Sequence, residues 1–281
     1  MSENAFVFGT VGTPKNKPKS PGGSVGGVLH IAELGLGAME LGWVRSVRVS
    51  EKTAREIKSA AEENQVDLSV HAPYYINLNG DEAEWPKSRK RLMDAARAGF
   101  LSGATEIVFH PGSYFDRPPE EVLKVVMPRL EGCVEELRAE ENSVVLRPET
   151  MGKGAMLGSL EDTLEMSRIE GVEPCLDFAH LHARTGDGAM NSYQEWMEVF
   201  EAYEKALGED SLGRLHCHFS GIEYTEKGEQ NHLFLEESDF DLEGWLKALK
   251  EAGAGGRLLC ESPVMEDDAL FVQGQWQELS G

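Results

Sequence analysis

Short apolar runs alternate with longer amphipathic stretches along the whole chain, and this alternation limits the fold more than any other feature. Strand-like runs fall at 5–9, 38–41, 68–71, 106–110, 144–149, 173–177, 212–219 and 257–261. Helix-like segments fall between them at 24–34, 51–64, 88–102, 119–139, 160–169, 192–207, 242–252 and, raggedly, 267–277. Ser50 precedes EKTAREIKSAAEEN as an N-cap, and Pro118-Pro119-Glu120-Glu121 supplies a helix-starting proline with negative charge toward the helix dipole. Gly103, Gly171 and Gly253 stand where helices should stop. Eight strands alternating with eight helices predict an α/β fold, a (β/α)8 TIM barrel, ahead of an open doubly wound sheet. The Gly/Pro/Lys stretch 12–27 reads as the first strand-to-helix loop, so residues 1–281 are expected to form one domain.

Composition narrows the class. At 41% hydrophobic residues the chain can bury a core, which excludes a disordered protein. No run approaches eighteen apolar residues and the first seventeen residues lack a signal-peptide core, so a soluble cytoplasmic protein is expected, with no membrane partner. Cys133, Cys175, Cys217 and Cys260 lie far apart without a CxxC and read as small buried residues. A net charge of −22 argues against a general polyanion binder. Two basic groups run against it: Lys15, Lys17, Lys19, Arg45 and Arg48 within the first fifty residues, and Lys87, Arg89, Lys90 and Arg91 at a helix start.

The polar chemistry collects at strand ends. His71 ends strand three, His110 strand four, Glu149 strand five and Asp177 strand six, with His180 three residues on. Strand seven holds His216 and His218, His232 follows in the next loop, and Glu261 ends strand eight. In a barrel these ends converge on the face where active sites form. Converging carboxylates would repel one another without cations. Imidazole plus carboxylate without thiolate pairs suits zinc, manganese or iron.

The segments HAPYYINL, VFHPGSY, VVLRPET, CLDFAHLHA, LHCHFSG and CESP, spanning about 68–263, resemble the successive motifs of endonuclease IV, the family-2 AP endonucleases. The wider superfamily includes xylose isomerase-like sugar isomerases and epimerases. The resemblance implies a metal-dependent endodeoxyribonuclease that hydrolyses the phosphodiester 5′ to an abasic site in double-stranded DNA, acts as a monomer in base excision repair, and carries two or three zinc ions, with manganese or iron as alternatives. It implies one ion on His71, His110 and Glu149, and a second sharing Glu149 and adding Asp177, His216 and Glu261. A third would sit on His180, His232 and a carboxylate. There Gln230 stands where the family has aspartate, and the adjacent Glu229 substitutes if the register changes; His218 stands where the family commonly has asparagine. Glu149 would orient both ions and Glu261 would help position the attacking water. Tyr74 matches a tyrosine that enters the DNA groove, Tyr75 is its neighbour, and Arg45 is offered by a short loop after strand two. Two rival readings remain: a metal-dependent sugar isomerase or epimerase, and a non-catalytic metal- or DNA-binding barrel.

Overall fold

The computed structural model describes residues 5–280. Eight parallel strands follow in chain order: β1 (Phe6–Val11), β2 (Ala38–Gly42), β3 (Asp67–His71), β4 (Glu106–Phe109), β5 (Val145–Pro148), β6 (Cys175–Asp177), β7 (Leu215–Phe219) and β8 (Gly256–Cys260). They pair in the order β5-β4-β3-β2-β1-β8-β7-β6. The remaining seam, β5 to β6, is bridged by the parallel pairs Leu146 with Val172 and Glu149 with Cys175. The result is the expected (β/α)8 TIM barrel, nearly closed by strand pairing.

The helices are α1 (Gly23–Glu33), α2 (Glu51–Asn64), α3 (Trp85–Leu101), α4 (Pro119–Ala139), α5 (Leu160–Met166), α6 (Phe178–Ala183), α7 (Tyr193–Leu207), α8 (Leu242–Glu251) and α9 (Glu266–Ser280); all but the fully buried α6 cover the outside of the barrel. Their starts have local causes. The Ser50 hydroxyl accepts the Thr53 N–H at 3.1 Å, and α2 then buries Ala54, Ile57, Ala60 and Ala61 at helical spacing. Ser159 and Asp162 form a capping box on α5.

Two expectations need adjustment. Strand seven starts at Leu215 instead of residue 212, because Ser211–Arg214 forms a 3-10 turn. A ninth helix, α6, leaves β6 directly and is too short to show a helical period in the sequence. Asp177 caps it: its Oδ1 accepts the His180 N–H at 2.7 Å.

Strand alternation separates two environments. Leu68, Val70, Cys217 and Phe219 are buried in the layer shared with the helices. The residues between them, Ser69, His71, His216 and His218, are equally buried but lie in the barrel interior. Each large apolar side chain in the outer layer contributes roughly 1.5–3 kcal/mol. Stability thus resides between strands and helices, which leaves the interior free for polar groups. All four cysteines are buried and outside any disulfide. Among the described residues no helix is long and apolar enough to cross a membrane.

Candidate metal centre

At the C-terminal ends of the strands two groups of potential ligand atoms share one carboxylate. The first is His71, His110 and Glu149; the second is Glu149, Asp177, His218 and Glu261; within each group the atoms lie within 4.8 Å of one another. Glu149, fully buried just past β5, joins them. Its Oε2 lies 3.3 Å from His71 Nε2 and 3.1 Å from His110 Nε2. Its Oε1 lies 3.2 Å from His218 Nδ1, which is 3.6 Å from Glu261 Oε2. His71 is oriented from behind, its Nδ1 standing 3.0 Å from the Ala72 carbonyl oxygen.

His218, not His216, is the β7 histidine in the four-residue group. Both point inward, but β7 pairs Asp177 with His218 and Cys175 with His216, so His216 lies two residues deeper. There its Nδ1 contacts Glu106 and its Nε2 lies 3.0 Å from Glu40 Oε2. The sequence reading places His216 with Glu149, Asp177 and Glu261; the structure gathers His218 with them and leaves His216 two residues deeper. His216 also belongs to a lower group with Cys175 and His218. Counting inward residues back from the strand end would have favoured His218.

The third corner is built by a hairpin, Gly221–Thr225 with Gly228–Leu233, that follows β7. His232 therefore lies on a strand and not in a loop. The hairpin register shifts: Glu223 opposes Asn231, whereas Tyr224 opposes Glu229, leaving Gln230 as the extra residue of a β-bulge. The bulge turns Glu229 to the side of His232 and leaves Gln230 exposed. Glu229 Oε2 lies 3.6 Å from His180 Nε2, and the His180 and His232 rings are 5.5 Å apart. His180 Nδ1 stands 3.0 Å from the Thr150 carbonyl oxygen, and His232 Nδ1 bonds the Ser220 hydroxyl at 2.7 Å.

The donor set fits divalent cations. His71 Nε2, Glu149 Oε2, Asp177 Oδ2, Glu229 Oε2 and Glu261 Oε2 are buried with no hydrogen-bond partner, which is costly unless a cation meets them. The electrostatics agree. Burial would raise the Glu149 carboxyl, but His110, His218 and His71 beside it hold it well below the usual carboxylate range. Burial would lower His71, yet Glu149 and the other carboxylates push it up to about 9. His180, likewise buried, is pushed up to about 9 by Asp177 and Glu149. Burial raises Asp177. The centre draws positive charge.

The remaining sequence candidates surround this centre. The Tyr74 ring stacks on His110 at 5.0 Å and meets His71 edge-on at 5.3 Å, so it packs on two histidines of the first group while 45% exposed. Tyr75 is 64% exposed, with Arg91 5.9 Å from its ring. Both line a groove of about 880 Å³ that also carries Asn77, Phe115 and Arg117. Arg45 is exposed on the short loop after β2. The second basic cluster is largely neutralised: Lys87 pairs with Glu84 at 2.7 Å, Lys90 with Asp94 at 2.6 Å, and Arg89 with Glu136.

Comparisons with known proteins agree with this architecture. The chain is 37% identical over 278 residues to an uncharacterized protein of Methanocaldococcus jannaschii, covering 99% of each. It is 27% identical over 190 residues to a probable endonuclease 4 of Exiguobacterium sibiricum, 64% of this chain and 61% of that protein. The crystal structure of endonuclease IV from Thermus thermophilus superposes with TM-score 0.71 at 22% identity, covering 96% of this chain and 99% of that one. A D-tagatose 3-epimerase-like protein superposes with TM-score 0.68 at 21% identity, covering 91% and 94%. At those identities the superpositions speak for the fold alone. The family model for the xylose isomerase-like TIM barrel matches residues 28–278. The fold, the ligand-bearing strand ends and this match lead to one conclusion: the chain belongs to the xylose isomerase-like TIM barrel family.

Proposed function

We propose that this protein is a metal-dependent endodeoxyribonuclease of the endonuclease IV type, which hydrolyses the phosphodiester on the 5′ side of an abasic site. The observation that carries the reading is Glu149, whose two oxygens face two separate ligand groups, with a third corner of His180, His232 and Glu229 beside them. Divalent ions held there, zinc first and manganese or iron as alternatives, would polarise a phosphate and acidify a water.

The chain's own residues do the rest. Glu149 fixes the spacing of the two ligand groups. Asp177, anchored by its cap on α6, keeps its second oxygen free for the same space. Glu261, 15% exposed at the edge of the centre, is placed to accept a proton from an attacking water. Tyr74 and Tyr75 offer aromatic faces beside the centre for an unstacked sugar or base, and Arg45 offers a charge for the backbone. Among the described residues no Ser-His-Asp or Cys-His arrangement is needed as a nucleophile.

A second reading, a sugar isomerase or epimerase, is favoured by the short loop 43–50 between β2 and α2, which offers little to part a duplex. Glu149, Asp177, His218 and Glu261 alone would suit an ion that polarises adjacent sugar oxygens between two carboxylates able to move protons. A duplex carrying one tetrahydrofuran abasic analogue separates the two. The expected result is a nick 5′ to the analogue, abolished by chelation and restored by zinc or manganese. No nicking under any metal or salt condition, together with turnover of a ketose or aldose, transfers the assignment to the isomerase. Neither activity, with ions bound, leaves a non-catalytic barrel.

A further inference from the structure

We propose that Glu40 is a positioning residue for His218, and that His216 and Glu106 hold Glu40 in place for this role. The proposal rests on the reading above, in which a divalent ion sits on His218 Nδ1. Glu40 lies mid-strand on β2, outside the segments that carry the resemblance, and is fully buried in the barrel interior. Its Oε2 accepts from the Ser69 hydroxyl at 2.7 Å and lies 3.0 Å from His216 Nε2. Its Oε1 lies 3.2 Å from His218 Nε2, and both of these atoms are buried and otherwise without a partner.

Below, His216 Nδ1 contacts Glu106, which also meets Arg147 and, at 3.0 Å, Arg257. Polar contacts thus run without a break from two arginines through Glu106, His216 and Glu40 to the ring of His218. Such a buried ionic chain is a poor stabiliser compared with apolar packing, and barrel interiors are ordinarily filled by Val, Ile and Leu. Its presence calls for another purpose.

Chemistry supplies one. An imidazole that gives Nδ1 to a cation must keep its proton on Nε2, and the group accepting that proton fixes the tautomer and the ring plane. His71 and His180 use backbone carbonyls and His232 a hydroxyl. His180 Nδ1 also lies 3.3 Å from Asp177 Oδ2, a carboxylate of the centre itself; His218 is backed by Glu40, a carboxylate from outside the ligand groups, which makes it a more basic ligand and strengthens the hold on its ion.

The test measures zinc content and affinity by competition with a chelator in wild type, Glu40→Gln, His218→Gln and the double variant, with circular dichroism of the zinc-free proteins as a check of folding. Nitrogen-15 spectra of the zinc-loaded imidazoles report the His218 tautomer. Glu40→Gln should weaken one ion about 10–100-fold, disturb the His218 Nε2 signal and spare those of His71. The double variant should be no weaker than His218→Gln alone, because Glu40 acts only through that ring. Glu40→Asp, which keeps the charge but retracts it, should lose the same ion to a smaller degree and serves if the glutamine variant does not fold. Wild-type affinity and an unchanged His218 signal in the Glu40 variants, or a loss that adds fully to that of His218→Gln, overturns the proposal while leaving the metal centre intact. A wild-type protein with no ion sensitive to His218→Gln overturns the reading of the centre, and this proposal with it.

Discussion

Glu229→Gln should remove one ion selectively, and the hairpin geometry says why. The bulge at Gln230 brings Glu229 Oε2 to 3.6 Å from His180 Nε2, in a position that is buried and unpartnered. A structural zinc in a four-ligand site is worth about 10–16 kcal/mol, or about 3 kcal/mol per ligand. Loss of the Glu229 charge should therefore weaken the third ion about a hundredfold. Gly152→Ala should do the same without removing any ligand. A Cβ at position 152 would lie 2.4 Å from Glu229 Oε2, 2.7 Å from Glu229 Cβ and 3.0 Å from His180 Cδ2. The carboxylate cannot retreat freely, since the Glu229 N–H is tied to the Gly152 carbonyl at 2.8 Å. Gln230→Ala should change nothing. Deleting Gln230 should also spare the site, because Glu229 and His232 then stand two residues apart and still share a face. The assay is zinc per chain after exhaustive dialysis, measured by elemental mass spectrometry. Unchanged stoichiometry in Glu229→Gln, or loss of an ion in Gln230→Ala, would refute the argument.

Glu149→Gln should release ions from both main groups and lower nicking by orders of magnitude, because one side chain serves both; near-normal rate in that variant contradicts the assignment. The ion-free protein should become less stable as pH rises from about 6.5 to about 9. The folded state raises His71 and His180 to about 9 from 6.5, so their contribution is complete below 6.5 and is lost as pH passes through 9. Melting temperatures in chelator across that window check this, and a flat profile counts against it. Zinc loading should remove the decline and release protons on binding below pH 9, seen as a buffer-dependent heat in titration calorimetry.

Much of this molecule is legible in its sequence. The alternation of apolar runs and amphipathic segments dictates parallel strands covered by helices, since each strand must bury its outer face and each helix its stripe. Period-two alternation also places His71, Glu149, Asp177, His218 and Glu261 inward, and a barrel closes those ends onto one mouth. Alternation defines a side, however, and not a depth. His216 and His218 share a face, and the pairing of His218 with Asp177 fixes which one reaches the centre. Glu40 carried one signal, an acid between Met39 and Leu41 in a buried run, but its partners come from two other strands. The basic cluster at 87–91 reads in the sequence as a local patch against the acidic charge, but acids on its own helix, its neighbour and the preceding turn neutralise most of it. Glu229 and Gln230 differ by one position, and a bulge reverses which of them faces inward without leaving a mark in the local sequence. Local pattern determines which residues enter the barrel; strand register and a single inserted residue, set by contacts between distant segments, decide which of them meet.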